Sequence, residues 1–367
     1  MAEKHGSCMT VGLDGLRPFT VEMFATITDS GREFVLAGEK EHRARELKVR
    51  LASTFASLGR PLGSLEGVVV ATSASAGSRG FPVPYDTAFD LAAAFAIKAA
   101  LDDEQPTRHY IGELGLTGDV KAVCGVLPRC SGAMREVVVP EACSGLAELS
   151  RFAEVFAIDS FAKVLKGQAL KHLGRRQPEQ RPAAPAPALS PETEAQLDEL
   201  HAGHKNPLFV GGWYAHPLLS TCRRFAERSL NLPATEAELR TMISIYDVAG
   251  LQPTAPFARP LRMPHHSVST LGMIGSTTRP GEVSLAHGGV LVLDEVVEFR
   301  AETLSAISQA LVGGRKFPST PLALAATGVI CCGRRWCNCS DARKAAGRKR
   351  LDDAARLLDM EVVLLEE

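Results

Sequence analysis

Apolar residues recur along this chain with two periods, one suited to strands and one to helices. Thr20–Ile27 (TVEMFATI) and the stretch 67–72 (GVVVAT) are short and rich in β-branched and aromatic residues, which predicts strands. Between them, residues 41–59 place Leu47, Leu51, Phe55 and Leu58 three or four positions apart, giving a helix one apolar face. The run 89–101 (FDLAAAFAIKAAL) is apolar on most sides and predicts a more buried helix. Residues 110–123 read as two strands about a Thr117-Gly118-Asp119 turn. The segments 136–140 and 154–158 are further strands, and 160–170 a closing helix.

The second half has a different pattern. Four apolar runs of strand length, 207–212, 288–296, 320–327 and 360–365, are separated by helical stretches. Near-continuous apolar strands between helices predict an α/β layered domain with a mainly parallel sheet. The two halves meet at 174–196 (GRRQPEQRPAAPAPALSPETEAQ), where Pro and Ala repeat without apolar periodicity. Such a composition predicts a semi-extended linker. The expected organisation is thus a first domain over 8–172, a linker over 173–196 and a second domain over 197–367.

Composition narrows the function classes. The 367 residues suffice for two cores, and 45% hydrophobic with 23% charged residues is the balance of a soluble globular protein. A formal net charge of -1 gives no global attraction to nucleic acid, so any such contact needs a local patch. No apolar run approaches the ~20 residues of a membrane span, and the N-terminus has no apolar signal region. Nine cysteines, an odd and partly scattered set, suit a reducing cytoplasm better than a disulfide framework.

Candidate chemistry lies in the second half. Asn206–Phe225 (NPLFVGGWYAHPLLSTCRRF) has the outline of a strand, a glycine turn and a helix, as in a phosphate-binding loop. Such a loop needs glycines that let backbone N–H groups wrap phosphates, a Lys against their charge, and a Ser/Thr hydroxyl for Mg²⁺. Here Gly211 and Gly212 are kept, but His216, Pro217 and Leu218 stand where Gly, Lys and Ser/Thr are required. Further on, VLVLDE ends an apolar strand in Asp294 and Glu295. An Asp in that place can hold Mg²⁺ and a Glu can polarise water.

Residues 262–299 (RMPHHSVSTLGMIGSTTRPGEVSLAHGGVLVLDEVVEF) strongly resemble the magnesium-chelatase-related AAA+ family, and within it the ComM/YifB-type competence branch. The first half is similar to the domain those proteins carry ahead of their ATPase. VGLDGLRPFTVEMF, FDLAAAFAI, GELGLTGDVKAVCGVLP and VVVPEA occur in the family order. The resemblance implies a ribosomal-S5-like, Lon-protease-related α+β domain followed by a truncated AAA+ (P-loop NTPase-like) parallel-sheet domain. It also implies ATP and Mg²⁺ as cofactors, ring-forming oligomers and a DNA branch-migration motor.

Several parts of that motor are altered in the same direction. Beyond the phosphate loop, Gly328 stands where a γ-phosphate-sensing Asn is expected, and Met360 where the family places an inter-subunit Arg. Gly313, Gly314 and Arg315 lead almost directly to Phe317, which implies loss of an inserted hairpin; the helical lid is missing from the expected core. Ser75 in SASAG mimics the Lon nucleophile, but Ala88 or its neighbour, and Leu127, occupy the positions matching the Lon Ser and Lys, so the domain reads as non-proteolytic.

Three further groups remain. Cys331, Cys332, Cys337 and Cys339 match a Cys-rich family pattern and read either as a Zn²⁺ knuckle or as free thiols. His265, His266 and His287 read as packing or hydrogen-bonding residues. Arg334, Arg335, Arg343, Lys344, Arg348, Lys349 and Arg350 form a basic cluster, either a solvated helix face or a contact for DNA phosphates. The expected protein is a non-hydrolysing AAA+ relative that associates with an intact paralogue, as a homo- or hetero-oligomer, or with DNA. The alternative is residual ATPase activity in DNA processing.

Overall fold

The computed structural model describes residues 3–28, 35–37, 41–62, 68–74, 86–133, 135–211, 216–251, 253, 256–312, 317–318, 321, 323–329 and 341–365. The chain divides into two compact units. Met1–Gln177 together with Asp247–Gln252 forms the first, and Pro178–Tyr246 with Pro253–Glu367 the second.

The first unit is built on β1 (Lys4–Asp14), β2 (Arg17–Ile27), β3 (Val35–Ala37), α1 (Glu41–Ser57), β4 (Val68–Ala74) and α2 (Asp90–Asp102). It continues with β5 (His109–Tyr110), a short hairpin of β6 (Glu113–Leu114) and β7 (Val120–Lys121), α3 (Val126–Gly132), β8 (Glu136–Pro140) and α4 (Ser144–Ala147). It ends with β9 (Glu154–Ile158), α5 (Phe161–Leu165) and β10 (Lys171–Leu173). Eight strands form one mixed sheet in the order β10-β9-β8-β5-β1-β2-β4-β3. The long β1–β2 hairpin turns at Gly15 (φ 64°), and β1, β5, β8 and β9 run parallel. Sequence periodicity predicts β2 and β4 but not β1, whose polar N-terminal half (KHGS) hides its alternation.

Helix α2 is the central helix of this core, with Leu91 to Ile97 wholly covered. It lies so close to β1 that any side chain at Gly6 would meet the Ala96 carbonyl and the Ala100 amide at 2.3 Å. The apolar face of α1 is buried as its spacing predicts, through Leu47, Leu51 and Phe55, and Phe55 packs edge-on against Phe161. The predicted closing helix is shorter than expected: α5 ends at Leu165, and Gly167 (φ 79°) reverses the chain into β10.

The second unit contains β11 (Gln180–Arg181), α6 (Pro191–Ala202), β12 (Pro207–Gly211), α7 (His216–Leu230), α8 (Glu236–Val248, its last two residues in the first unit) and β13 (Phe257–Ala258). There follow β14 (Leu261–Arg262), α9 (Thr270–Ile274), α10 (Glu282–Leu285), β15 (Val290–Leu293), α11 (Ala301–Val312), β16 (Ala323–Val329), α12 (Asp341–Leu357) and β17 (Glu361–Leu364). Five strands pair in parallel in the order β14-β15-β16-β12-β17, so the first of them in sequence, β12, lies inside the sheet. Their alternating side chains feed two cores. Leu208, Val210, Leu291, Leu293 and Leu324 face α11 and α12, while Phe209, Val290, Val292 and Ala325 face α6 and α7. This is the mixed α/β, parallel-sheet class expected of a P-loop-type domain.

The Pro/Ala-rich stretch is more structured than a semi-extended linker. Gln180 and Arg181 pair with β13, and the Ala183 and Ala186 amides donate to Asn231 and Glu227 at 3.0 and 3.1 Å. At Ser190 the side chain caps α6, with Pro191 in the first turn. Backbone donors at small residues find partners on α7 and just past its end, which apolar periodicity does not report. No helix among the described residues is long and apolar enough to cross a membrane.

Candidate functional site

Parallel strands bring their carboxyl ends to one edge of the sheet, where the following loops can meet a ligand. β12 and β15 are separated only by β16, so Gly211 and Asp294 stand at that edge about 10 Å apart across the strands. Position 328 lies there too, since Gly328 pairs with Val210. The sheet therefore brings together the three positions that the sequence marks as phosphate loop, acidic strand end and sensor.

The acidic end is built with some strain. Asp294 is half-buried and lies close enough to α7 to act on Cys222. Burial first, and the Asp294 charge second, push the Cys222 thiol up. Glu295 is exposed and adopts the left-handed region (φ 54°, ψ 55°), uncommon for a residue with a side chain. From there the Glu295 carboxylate lies 3.5 Å from His266 Nδ1. The His266 ring is 4.0 Å from that of His265, whose own Nδ1 is 2.8 Å from Ser267 Oγ. The sequence reading of these histidines as hydrogen-bonding residues did not identify Glu295 as a partner. Its signal is spatial, because β14 and β15 are neighbours that carry His266 and Glu295 just beyond their ends.

The supporting frame is held by buried and half-buried polar contacts and close backbone packing. Arg262 grips Glu282 with two bonds of 2.7 and 2.8 Å. Arg259, with 2% of its side chain exposed, donates to the carbonyls of Leu232, Pro233 and Gly288. At the turn before α10, Gly281 approaches Gly275 so closely that a Cβ would sit 2.2 Å from the Gly275 amide.

On the other side of the site, Gly212 lies outside the described residues, as do the side chains of His216 and Pro217, although both residues lie in α7. Leu218 is described and is 3% exposed, part of the cluster of Phe209, Cys222, Phe225 and Val292. Its side chain comes within 3.2 Å of the Cβ position of Gly211. Met360 likewise turns inward and packs against the core that includes Ala355 and Leu358.

Cys331, Cys332, Cys337 and Cys339 lie outside the described residues, as do Arg334 and Arg335, Ser75, Gly313, Gly314 and Arg315. Among the described residues no group of three or more His, Cys, Asp or Glu is placed to hold a metal. Arg343 and Lys344 belong to α12, with side chains outside the description. Arg348 and Lys349 are exposed, whereas Arg350 donates to the Val297 carbonyl just past Glu295.

Comparison with known proteins agrees with this architecture. Residues 224–356 match the family model described as magnesium chelatase, subunit ChlI. The chain is 28% identical over 246 residues to the uncharacterised protein YifB of Salmonella typhimurium, and 28% over 251 residues to competence protein ComM of Haemophilus influenzae. Each alignment covers 62% of this chain and 48% of the relative, so the chain spans about half the length of these proteins. An uncharacterised protein of Mycobacterium tuberculosis is 28% identical over 335 residues, covering 84% of this chain and 64% of that one. With the acidic strand end, the Pro-His-His element and the sheet order in place, the chain is similar to magnesium-chelatase-related proteins of the ComM/YifB-like kind, most directly over residues 224–356.

Proposed function

We propose that this ComM-like protein acts by binding and does not turn over ATP. The observation that carries this reading is Leu218. At the position where a P-loop places the Mg²⁺-anchoring hydroxyl, the side chain is a core residue, buried against Gly211 and Phe209. Pro217, at the lysine position, has neither a charge nor a backbone N–H to offer. Each lost charge-assisted bond to phosphate costs roughly 1.5–3 kcal/mol. The residues present therefore do not fit Mg·ATP in the manner of the family, and the retained carboxylates serve the sheet edge. The partners best suited to this role are an intact AAA+ relative from the same cell, or DNA, for which Arg348 and Lys349 offer cations.

One observation favours a second reading, residual nucleotide hydrolysis. Asp294 and Glu295 keep their place at the carboxyl edge, and Glu295 keeps a partner in His266. Calorimetric titration of the full chain with a Mg·ATP analogue separates the two. Action through partner binding alone predicts no saturable heat with the nucleotide up to about 1 mM, weaker than roughly 4 kcal/mol of binding free energy. Micromolar binding that Asp294→Ala abolishes, or phosphate release that stops in Glu295→Gln, would establish the second reading instead.

A further inference from the structure

The eight-stranded sheet of the first unit ends at β10, which pairs with β9 on one side only. Among the described residues, Lys171, His172 and Leu173 make no backbone bonds outside that ladder. Beside this edge is a cavity of about 210 Å³ at the carboxyl ends of the parallel strands β8 and β9. Its apolar lining comes from Ala157, Ile158, Val164 and Leu170, and its rim from two lysines and two carboxylates, Lys163 with Asp159 and Lys171 with Glu141.

The segment that forms the edge carries charge of one sign. From Ser160 to Arg176 there is no Asp or Glu, while Lys163, Lys166, Lys171, Arg175 and Arg176 are all exposed. Carboxylates from neighbouring segments answer three of the five: Asp159 pairs with Lys163, Glu141 with Lys171 at 3.4 Å, and Glu148 with Arg176 at 4.0 Å. These are exposed pairs, which hold weakly and exchange readily for another carboxylate. On the opposite face of β10, His172 lies 5.1 Å from the Phe156 ring, over which Arg108 is also stacked at 4.3 Å.

An open strand edge is a template for another strand, and proteins guard such edges with lysine to stop like copies from pairing. The same lysines attract a strand of opposite sign. We propose that β10 captures an extended acidic peptide, whose backbone continues the sheet and whose one apolar side chain enters the cavity between β9, α5 and Leu170. This mode takes affinity from main-chain bonds and selectivity from the pocket. A nucleic-acid backbone would use the cations but neither the free ladder groups nor the apolar lining. The inference concerns the first unit alone and stands whether or not the second unit holds nucleotide.

Fluorescence anisotropy of the full chain tests it, with a labelled peptide of about eight residues that alternates Glu with Val and Leu. The expected result is saturable binding that weakens as salt rises, weakens at least tenfold in Lys166→Glu/Arg175→Glu, and weakens in Ala169→Trp, which blocks the cavity mouth from an exposed loop position. Proline at alternate peptide positions should abolish binding, because it removes the ladder donors. Thermal melts matching the parent protein confirm that the variants are folded. Equal binding of the proline peptide, oligothymidylate binding in place of the acidic peptide, or no saturation by the acidic peptide would each overturn the proposal.

Discussion

Replacing Leu218 with Ser would restore, on paper, the hydroxyl that a phosphate loop uses to hold Mg²⁺. If position 218 is instead a core position, the change is a large loss with no gain. The side chain is 3% exposed and touches the cluster of Phe209, Cys222 and Phe225. Deleting a buried leucine costs about 2–5 kcal/mol through lost burial and the cavity left behind. Leaving a serine hydroxyl there without a partner adds about 1–3 kcal/mol. The sum, roughly 3–8 kcal/mol, is a large share of the 5–15 kcal/mol typical of a whole domain. Pulsed hydrogen exchange over α7 (His216–Leu230) at rising urea follows the unfolding of the second unit. The expected outcome is a midpoint far below that of the parent protein, with Leu218→Met losing less than about 1.5 kcal/mol. A Leu218→Ser variant as stable as the parent, or one that gains saturable Mg·ATP binding, would refute the assignment of this residue to the core.

Asp247 accepts bonds from the Gly125 and Leu127 amides at 2.9 and 2.8 Å within the first unit. Asp247→Ala should cost roughly 1–3 kcal/mol for the Leu127 amide it strands, since the Gly125 amide keeps the main-chain carbonyl of residue 247 at 3.3 Å, and Asp247→Asn about half as much; faster hydrogen exchange over residues 125–132 is the readout. Asp90 is buried beside Arg50 at 3.0 Å, and burial, only partly offset by that guanidinium, pushes its carboxyl up to about 8. A folded value above the unfolded one means the contribution is complete below pH ~4 and is lost as pH rises through about 8. Exchange protection of α2 should therefore fall between pH 5 and 8.5 in the parent protein and change less in Asp90→Asn. Gly281→Ala should destabilise the second unit by more than an ordinary surface change, beyond about 0.5 kcal/mol, because its Cβ would meet backbone at 2.2 Å; the same exchange assay over α7 measures it.

Much of the fold was legible because its signals are local. The apolar runs over 207–212, 288–296, 320–327 and 360–365 contain or overlap four of the five strands of the parallel sheet, and Asp294 and Glu295 stood at the end of one of them. The face of α1 followed directly from the spacing of Leu47, Leu51 and Phe55. What was not legible depends on partners distant in sequence. The ordering of Ala183 and Ala186 is set by Asn231 and Glu227, and the place of His266 by a strand neighbour that ends in Glu295. Ser190 followed by Pro191 was a readable helix start, but the surrounding Pro and Ala composition outweighed it. Substituted motif residues such as Leu218 were visible as substitutions; that the leucine had joined the core was not.

The short return of Asp247–Gln252 into the first unit has a practical corollary. A clone that stops at Gln177 omits the carboxylate that serves Gly125 and Leu127, so it would carry two bare amides into the test tube. Dissecting this protein with one cut yields a mutilated half, whichever side of the Pro/Ala stretch receives the cut. An intact N-terminal fragment has to be assembled from two pieces of gene, with the later piece grafted on or supplied as a peptide.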